Sequence, residues 1–191
     1  MNIGIDIDDT ITNSSEVFVK YAIKYNKEKK INYPIDTTTL DQEKAFGWNN
    51  NNKKEFASLY LKKILREANP HQDVVKVIRK LKDSGHKIFF ITARTDEEVL
   101  GVYDFTREWL LNNNIYFDKL IVNSVDKVNI CKANHINVFI DDNYETCKNV
   151  FEELNIPVLM FQTKYNEIFS DFNFECVKNW EEILYKINNG G

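Results

Sequence analysis

The chain has 191 residues, enough for one substantial domain or for a core with a small accessory domain. Hydrophobic residues make up 43% of the chain and aromatic residues 13%, so a buried core is expected and global disorder is excluded. The formal net charge of −4 lacks the basic footprint of proteins that bind nucleic acid polymers or anionic membranes, but it does not exclude a local site for a small anion.

The cysteines and the lack of long apolar runs indicate in which cellular compartment the protein is expected. The three cysteines, Cys131, Cys147 and Cys176, are widely spaced and form no CxxC or Cys/His pattern, so we interpret them as reduced thiols. No secretory signal pattern and no apolar run of membrane-spanning length is seen. We therefore expect a cytoplasmic protein with neither a membrane nor a nucleic acid polymer as partner. The sequence leaves the oligomeric state open.

The first seventy residues predict one strand followed by helices. The apolar run at 3–7 predicts a buried strand, and the next helix is expected to begin at Asn13 as cap, with Glu16 three residues on. Residues 31–52 are interpreted as irregular, and 53–68 predicts a second helix. The segment 13–73 shows helices but no clear strand.

From residue 74 onward, strands and helices alternate regularly. A helix is predicted over 74–81 from its apolar spacing. Further strands are predicted at 86–92, 120–122, 137–141 and 157–161, and further helices at 103–113, 125–134, 145–154 and 180–187. Such alternation predicts an open, mainly parallel α/β sheet with helices on both faces. We therefore expect a core domain of 1–12 and 74–191, interrupted by a helical insertion at 13–73.

Polar groups gather at the carboxyl ends of the predicted strands, where open α/β folds bind ligands. They are Asp6 and Asp8, Thr92, Lys127, and Asp141 with Asp142. Four carboxylates at one edge would repel one another strongly without compensation. A divalent cation is the simplest compensation, and hard oxygen ligands without cysteine or histidine favour Mg²⁺.

The other two groups suit a phosphoryl ligand. Thr92 can donate a hydroxyl hydrogen bond, and Lys127 can neutralise phosphate charge. Lys132 competes for the second role, but it lies roughly 7.5 Å farther along the same predicted helix and about 140° around it. Lys127 is therefore the better candidate.

The stretches DIDDT, FFITAR and FIDD, with Lys127 before the last, resemble the four motifs of haloacid dehalogenase-type phosphatases in the family's order. The resemblance covers about 1–12 and 74–165. It implies a three-layer, Rossmann-like core, and the insertion at 13–73 matches that superfamily's small helical cap after the first strand. Within the superfamily, the chain is most similar to the small 5′-nucleotidases that include the 5′(3′)-deoxyribonucleotidases. The compact cap, the IDD ending and the DK pair before it carry that similarity.

Two departures from the deoxyribonucleotidase pattern concern the sugar. The second predicted strand continues as TAR where those enzymes have TSP. Ser14 stands where they carry an aromatic residue near the base. A preference for deoxyribose therefore does not follow from the resemblance.

The resemblance implies a role for each motif residue. Asp6 would be the nucleophile that forms an aspartyl-phosphate, and Asp8 the general acid and then the base. Mg²⁺ would be held by Asp6, the backbone carbonyl of Asp8, and Asp141. Asp142 would orient a metal-bound water. Thr92 and Lys127 would stabilise the transferring oxygens.

Residues beyond the motif acids complete the predicted site. Ala93 and Arg94 follow Thr92 and are expected at the substrate, with a surface ion pair as the alternative for Arg94. Asp9 is interpreted as a turn or cap residue. Phe46 and Trp48 lie in the irregular segment and are the candidate platform for a nucleobase. The alternative is that these two rings pin the loop to the cap helices.

Other residues are given structural roles. Phe18, Tyr21, Phe56 and Tyr60 recur at helical spacing and are interpreted as packing within the cap. The three histidines, His71, His86 and His135, show no partner pattern and are interpreted as structural or exposed.

The sequence thus predicts a Mg²⁺-dependent phosphomonoesterase acting on a small molecule, best explained as a 5′-nucleotidase. The same residues would serve a phosphatase for a sugar phosphate or another small phosphomonoester. A phospho-receiver domain also uses acids, a threonine and a lysine around Mg²⁺, but there the lysine comes last, whereas Lys127 precedes Asp141. A non-catalytic phospho-ligand binding protein is disfavoured because Asp6 and Asp8 are both intact.

Overall fold

A sheet of six parallel strands organises the part of the chain that the structure describes. The structure, a computed structural model, describes residues 1–39, 41–167, 169 and 173–190. The strands are β1 (Asn2–Ile5), β2 (Lys87–Ile91), β3 (Lys119–Ile121), β4 (Val138–Asp141), β5 (Val158–Phe161) and β6 (Glu175–Val177). They stand in the order β3–β2–β1–β4–β5–β6, and every neighbouring pair is parallel. The order therefore reverses between β1 and β4, which is where such sheets open a crevice for ligands.

Helices occupy both faces of the sheet and the insertion after β1. The insertion contains α1 (Ser14–Lys29), α2 (Gln42–Phe46), α3 (Asn50–Phe56), a π-helical turn (Ala57–Leu61) and α4 (Lys62–Glu67). The sheet is accompanied by α5 (Val74–Asp83), α6 (Val102–Asn112), α7 (Lys127–Ala133), α8 (Tyr144–Leu154) and α9 (Trp180–Asn189). The parallel, doubly wound α/β architecture predicted from the sequence is confirmed.

Strand residues alternate between two hydrophobic clusters, as a sheet covered on both faces requires. Ile88 and Phe90 of β2 belong to the cluster that packs on α5, α6 and α9. Ile91 belongs to the cluster on the opposite face, with α7 and α8, and Phe89 packs against it. Burial on both faces explains why the strands appear in the sequence as continuous apolar runs.

The helices between β1 and α5 have a hydrophobic cluster of their own. Its centre is aromatic: the Trp48 ring lies 4.4 Å from Phe56 and 4.8 Å from Phe46 between ring centroids, and Tyr25 packs edge-on at 5.3 Å. Two short elements in the chain, α2 and β6, were not predicted. The first lies in the segment interpreted as irregular, and the second is a three-residue strand at the sheet edge.

The two connections into the insertion are joined as a short antiparallel stem. Thr12 and Pro70 form a β-bridge, and the Asn13 N–H donates to the Asn69 carbonyl at 3.1 Å. Asn13 occupies the cap position of α1 as predicted, and its amide donates to Glu16 at 3.1 Å. Its side-chain oxygen, however, accepts from the Asn69 N–H at 2.8 Å, so Asn13 closes the stem rather than capping the helix backbone.

Among the described residues, no helix combines the length and the apolar character needed to cross a lipid bilayer. The division into a core of 1–12 and 74–191 and a cap of 13–73 stays a prediction.

Candidate active site

Strand register places Asp6 beside Asp141. Ile5 pairs with Ile140 across β1 and β4, and the Asp6 N–H donates to the Ile140 carbonyl at 2.9 Å. Lys127, the first residue of α7, extends its ammonium between the two acids. Its Nζ lies 2.5 Å from Asp6 Oδ1 and 2.7 Å from Asp141 Oδ2. All three side chains are buried, so one cation and two carboxylates share a desolvated site.

Burial dominates the electrostatics of this triad. It raises the pKa of Asp6 to about 8, although the Lys127 ammonium acts in the opposite direction. Burial alone would lower the pKa of Lys127, but the charges of Asp6 and Asp141 outweigh it and raise that pKa. Lys127 therefore stays protonated, while one ammonium is insufficient to hold every neighbouring carboxyl ionised.

The donor set fits a divalent cation. Carboxylate oxygens of Asp6, Asp141 and Asp142 lie within 4.8 Å of one another, and all three residues are buried. Three carboxylates against the Lys127 ammonium leave two negative charges when all are ionised, which a divalent cation would balance. Oxygen donors alone are the ligands that Mg²⁺ takes in proteins.

Asp142 is held by two hydroxyl groups, one of which the sequence reasoning missed. Thr10 Oγ1 donates to Asp142 Oδ1 at 2.8 Å. The Tyr165 hydroxyl bonds Asp142 Oδ2 and lies 3.1 Å from Asp9 Oδ2. Burial raises the pKa of Asp142 well above its ordinary value. Tyr165 follows β5 by four residues, so the rule that pointed to the other strand ends could have found it.

Asp9 organises the start of α1, as the turn or cap interpretation predicted. Its backbone adopts a left-handed conformation with φ of 60°. Its carboxylate accepts from the Ser15 N–H at 2.7 Å and from the Ser14 hydroxyl at 3.1 Å. A carboxylate at a helix N-terminus is favoured by the exposed N–H groups there.

Asp8, which is partly exposed, forms an ion pair with the buried Arg94. Arg94 Nε donates to Asp8 Oδ2 at 2.7 Å and Nη2 donates to Oδ1 at 2.8 Å, so the pair is bidentate. Arg94 is buried, so the expectation that any ion pair would be a surface one is wrong. Burial alone would raise the pKa of Asp8, but the charge and hydrogen bonds of Arg94 outweigh it and lower that pKa.

Thr92 and Ala93 lie at the end of β2, beside β1 in the sheet. Thr92 is buried, its N–H donates to the Ile121 carbonyl at 2.9 Å, and its hydroxyl accepts from the Arg94 N–H at 3.3 Å. Ala93 lines the cavity described next, together with Arg94. The predicted residues from three strands are thus placed at one edge of the sheet.

A cavity of about 770 Å³ lies between this edge and the cap helices. Its volume is in the range of small-molecule sites. Asp8, Ala93 and Arg94 form part of its wall on the core side. The cap contributes an apolar wall of Phe18, Val19, Phe46, Leu61, Ile64 and Leu65. Hydroxyl and amide groups of Ser14, Ser15, Thr37, Thr39 and Gln42 also line the cavity.

The predicted aromatic platform requires a correction. Trp48 is 0% exposed, and its indole N–H donates to Asn26 Oδ1 at 2.5 Å, so the ring is enclosed by the cap cluster and cannot stack on a ligand in this conformation. For Trp48, the alternative interpretation is correct: its ring pins the loop to the cap helices. Phe46 packs in the same cluster but lines the cavity. Phe18, interpreted as cap packing, also reaches the cavity wall.

His71 has the structural role interpreted from the sequence, but its place at the cavity was not predicted. It lines the cavity, its Nε2 lies 3.2 Å from the Asp9 carbonyl, and its ring stacks on Phe161 at 5.1 Å. Its position just after the stem could not be tied to a site by any spacing in the sequence.

Solved structures share this fold over nearly their whole length. The haloacid dehalogenase-like family protein SP0104 from Streptococcus pneumoniae superposes with a TM-score of 0.69 at 16% identity, covering 97% of each chain. A structure titled as a predicted phosphatase from Clostridium acetobutylicum gives a TM-score of 0.71 at 15% identity, covering 98% of this chain and 97% of that one. These likenesses show that the chain has the fold of haloacid dehalogenase-like proteins.

Curated relatives of similar length identify the family of this chain. The protein named "Putative nucleotidase YqfW" from Bacillus subtilis (strain 168) is 31% identical over 196 residues, spanning 99% of this chain and 94% of the relative. The "Putative nucleotidase BH1399" from Halalkalibacterium halodurans is 23% identical, spanning 94% and 88%. The chain therefore belongs to the same family as YqfW. No protein-family model matches it.

Proposed function

We propose that this protein is a Mg²⁺-dependent phosphomonoesterase that releases phosphate from nucleoside monophosphates, with Asp6 as nucleophile. One observation carries the proposal: Asp6, Asp141 and Lys127 meet at the carboxyl edge of the sheet, with Asp8 at the floor of a cavity. Nucleophile, cation and proton carrier are the three parts that phosphoryl transfer to a carboxylate needs.

In the first half of the reaction, a carboxylate oxygen of Asp6 attacks phosphorus and the bond from phosphorus to the leaving oxygen breaks. Asp8 gives that oxygen its proton. Because Arg94 lowers the pKa of Asp8, Asp8 is a carboxylate in the free protein and first takes this proton from the bound substrate. Phosphate monoesters keep a second proton up to a pKa of about 6. The products of this half are the free alcohol and a phosphorylated Asp6.

In the second half, Asp8 accepts a proton from water, and the water oxygen attacks phosphorus. The bond between phosphorus and Asp6 then breaks, which restores the Asp6 carboxylate, and Asp8 passes its proton to the departing orthophosphate. Lys127 and Thr92 stabilise the charge that spreads over the transferring oxygens in both halves. Overall, one ester bond and one water are consumed, and one alcohol and one phosphate are formed.

Asp6, Asp141 and Asp142 would hold Mg²⁺ directly or through water, with the Asp8 carbonyl as a further donor. When bound, the ion supplies positive charge that keeps Asp6 ionised and offsets the charge of the phosphate.

Nucleotides are the proposed substrates for two reasons. The curated relatives carry nucleotidase names over nearly the full length of the chain. The cavity is also large enough for more than a phosphate, and Phe18, which is only partly buried, offers aromatic surface for a base, which is worth roughly 1–3 kcal/mol per stacked base. The cytoplasmic location inferred from the sequence stays a prediction.

The test is phosphate release with Mg²⁺ from nucleoside 5′- and 3′-monophosphates, their deoxy forms and common sugar phosphates. Asp6→Asn serves as the blank, and Asp83→Asn, an exposed acid at the end of α5, is the matched control. Selective turnover of nucleotides that is lost only in the blank supports the proposal. Turnover confined to sugar phosphates would replace the substrate and retain the mechanism.

A further inference from the structure

We infer that Arg94 is a positioning residue, whose guanidinium fixes Asp8 for proton transfer to the leaving oxygen. This fixation suits the site to alkyl phosphate esters, whose leaving alkoxide must be protonated, over esters of acidic phenols. The inference rests on the proposed function.

The geometry of the ion pair constrains the carboxyl group fully. The contacts from Arg94 Nε and Nη2, at 2.7 and 2.8 Å, engage one Asp8 oxygen each, so the plane of the carboxyl group is set by the plane of the guanidinium. Such two-pronged pairing is a property of arginine, because a lysine ammonium contacts carboxylates as a point charge without defining their orientation.

Arg94 is itself held at both ends. Its N–H donates to the Thr92 hydroxyl at 3.3 Å, and its carbonyl accepts from the Asn123 N–H at 2.9 Å. At the far end, Nη1 lies 3.4 Å from Thr106 Oγ1 on α6. These contacts fix the position of the guanidinium, which in turn fixes the orientation of the Asp8 carboxyl group.

Exposure distinguishes the two partners. The Asp8 side chain is 32% exposed and the Arg94 side chain 4%, and both line the cavity. The Asp8 carboxyl group is thus accessible from the cavity, whereas most of the Arg94 side chain is covered by protein. The pair is an inefficient way to stabilise the fold, because the desolvation of the buried Arg94 charge offsets much of its attraction to Asp8. The arrangement is better explained by the orientation it imposes.

The expected consequence depends on the leaving group. An alkoxide leaves with a proton from Asp8, whose O–H bond breaks as the bond from hydrogen to the leaving oxygen forms. A nitrophenolate leaves as a stable anion without that proton. Misplacing Asp8 by about 1 Å should cost on the order of 10²-fold for the first kind of ester and little for the second.

The experiment compares kcat/KM of Arg94→Lys with a nucleoside 5′-monophosphate, with glycerol 2-phosphate and with p-nitrophenyl phosphate, all with Mg²⁺. The matched control is Arg107→Lys, an exposed arginine on α6. We expect Arg94→Lys to lose about 10- to 100-fold on the alkyl esters and less than about 3-fold on the aryl ester. In an Asp8→Asn background, where no proton can be given, Arg94→Lys should cause no further loss.

A second variant distinguishes a loss of positioning from a folding defect in Arg94→Lys. Thr106→Val keeps the ion pair but frees one side of the guanidinium, and it should show the same leaving-group dependence at about 3- to 10-fold. Equal losses on all three esters in both variants would overturn the inference, as would a loss from Arg94→Lys that persists in the Asp8→Asn background. A wild-type protein that hydrolyses glycerol 2-phosphate but no nucleotide would overturn the nucleotidase proposal and leave this comparison intact.

Discussion

Replacing Lys127 with methionine should unfold the metal-free protein at a much lower temperature. The substitution keeps the length of the side chain and removes the ammonium that contacts Asp6 at 2.5 Å and Asp141 at 2.7 Å. Both acids are buried, so the loss leaves them without their compensating cation, and removing one partner of a buried ion pair costs about 3–5 kcal/mol. For a chain of this size, about 2–4 °C per kcal/mol gives a fall in Tm of about 6–20 °C.

The assay is thermal unfolding in EDTA, with Lys132→Met, an exposed lysine of the same helix, as control. Above pH about 8, where Asp6 ionises, adding Asp6→Asn to Lys127→Met should recover part of the lost stability, because it removes one unpaired carboxylate. Mg²⁺ should also restore stability but leave activity at least about 10²-fold below wild type. A fall in Tm of less than about 2 °C, or a double variant less stable than Lys127→Met, would refute this account of the site.

Three further outcomes are expected. Because the pKa of Asp6 is raised from 3.8 to about 8, the folded metal-free protein holds a proton that the unfolded chain releases between these pH values. Its Tm should therefore fall as the pH rises from about 4 to about 8, and Mg²⁺ should raise Tm more at pH 8 than at pH 5. A Tm that does not change with pH would contradict this prediction. Trp48→Ala should lower the free energy of unfolding by about 3–5 kcal/mol in denaturant titration, whereas Phe18→Ala should mainly raise KM for nucleotides and leave p-nitrophenyl phosphate unaffected. Tyr165→Phe should weaken Mg²⁺ binding by about 10- to 100-fold in calorimetry, since it frees Asp142, and unchanged affinity would exclude that role.

Sequence periodicity sufficed for most of the fold because buried parallel strands appear as uninterrupted apolar runs. All four residues of β4, Val138–Asp141, are buried, and its run is evident without any structure. β6 has only Glu175–Val177 and one buried residue, so it presents no run. α2 spans five residues, and its start is set by the Asp41 side chain, which accepts from the Glu43 N–H at 3.0 Å; so short a helix has almost no periodicity.

The candidate site likewise has a part that the sequence could predict and a part that it could not. Asp6, Asp141 and Lys127 could be brought together from the sequence because strand ends and helix starts share one edge of a parallel sheet. The pairing of Arg94 with Asp8 could not, because it depends on where a long side chain folds back and not on strand order. The burial of Trp48 likewise depends on how α1 and α3 close around it, which composition does not reveal.

The antiparallel stem at Thr12 and Pro70 has a consequence for how this architecture varies. Because the two ends of the insertion are hydrogen-bonded neighbours, the core chain arrives and departs at nearly the same point. A helical segment of another length, or a tight turn, would satisfy the same two ends without moving a strand. An insertion exchanged at this stem would therefore change the cavity wall that its helices contribute and leave the acids at the strand ends in place.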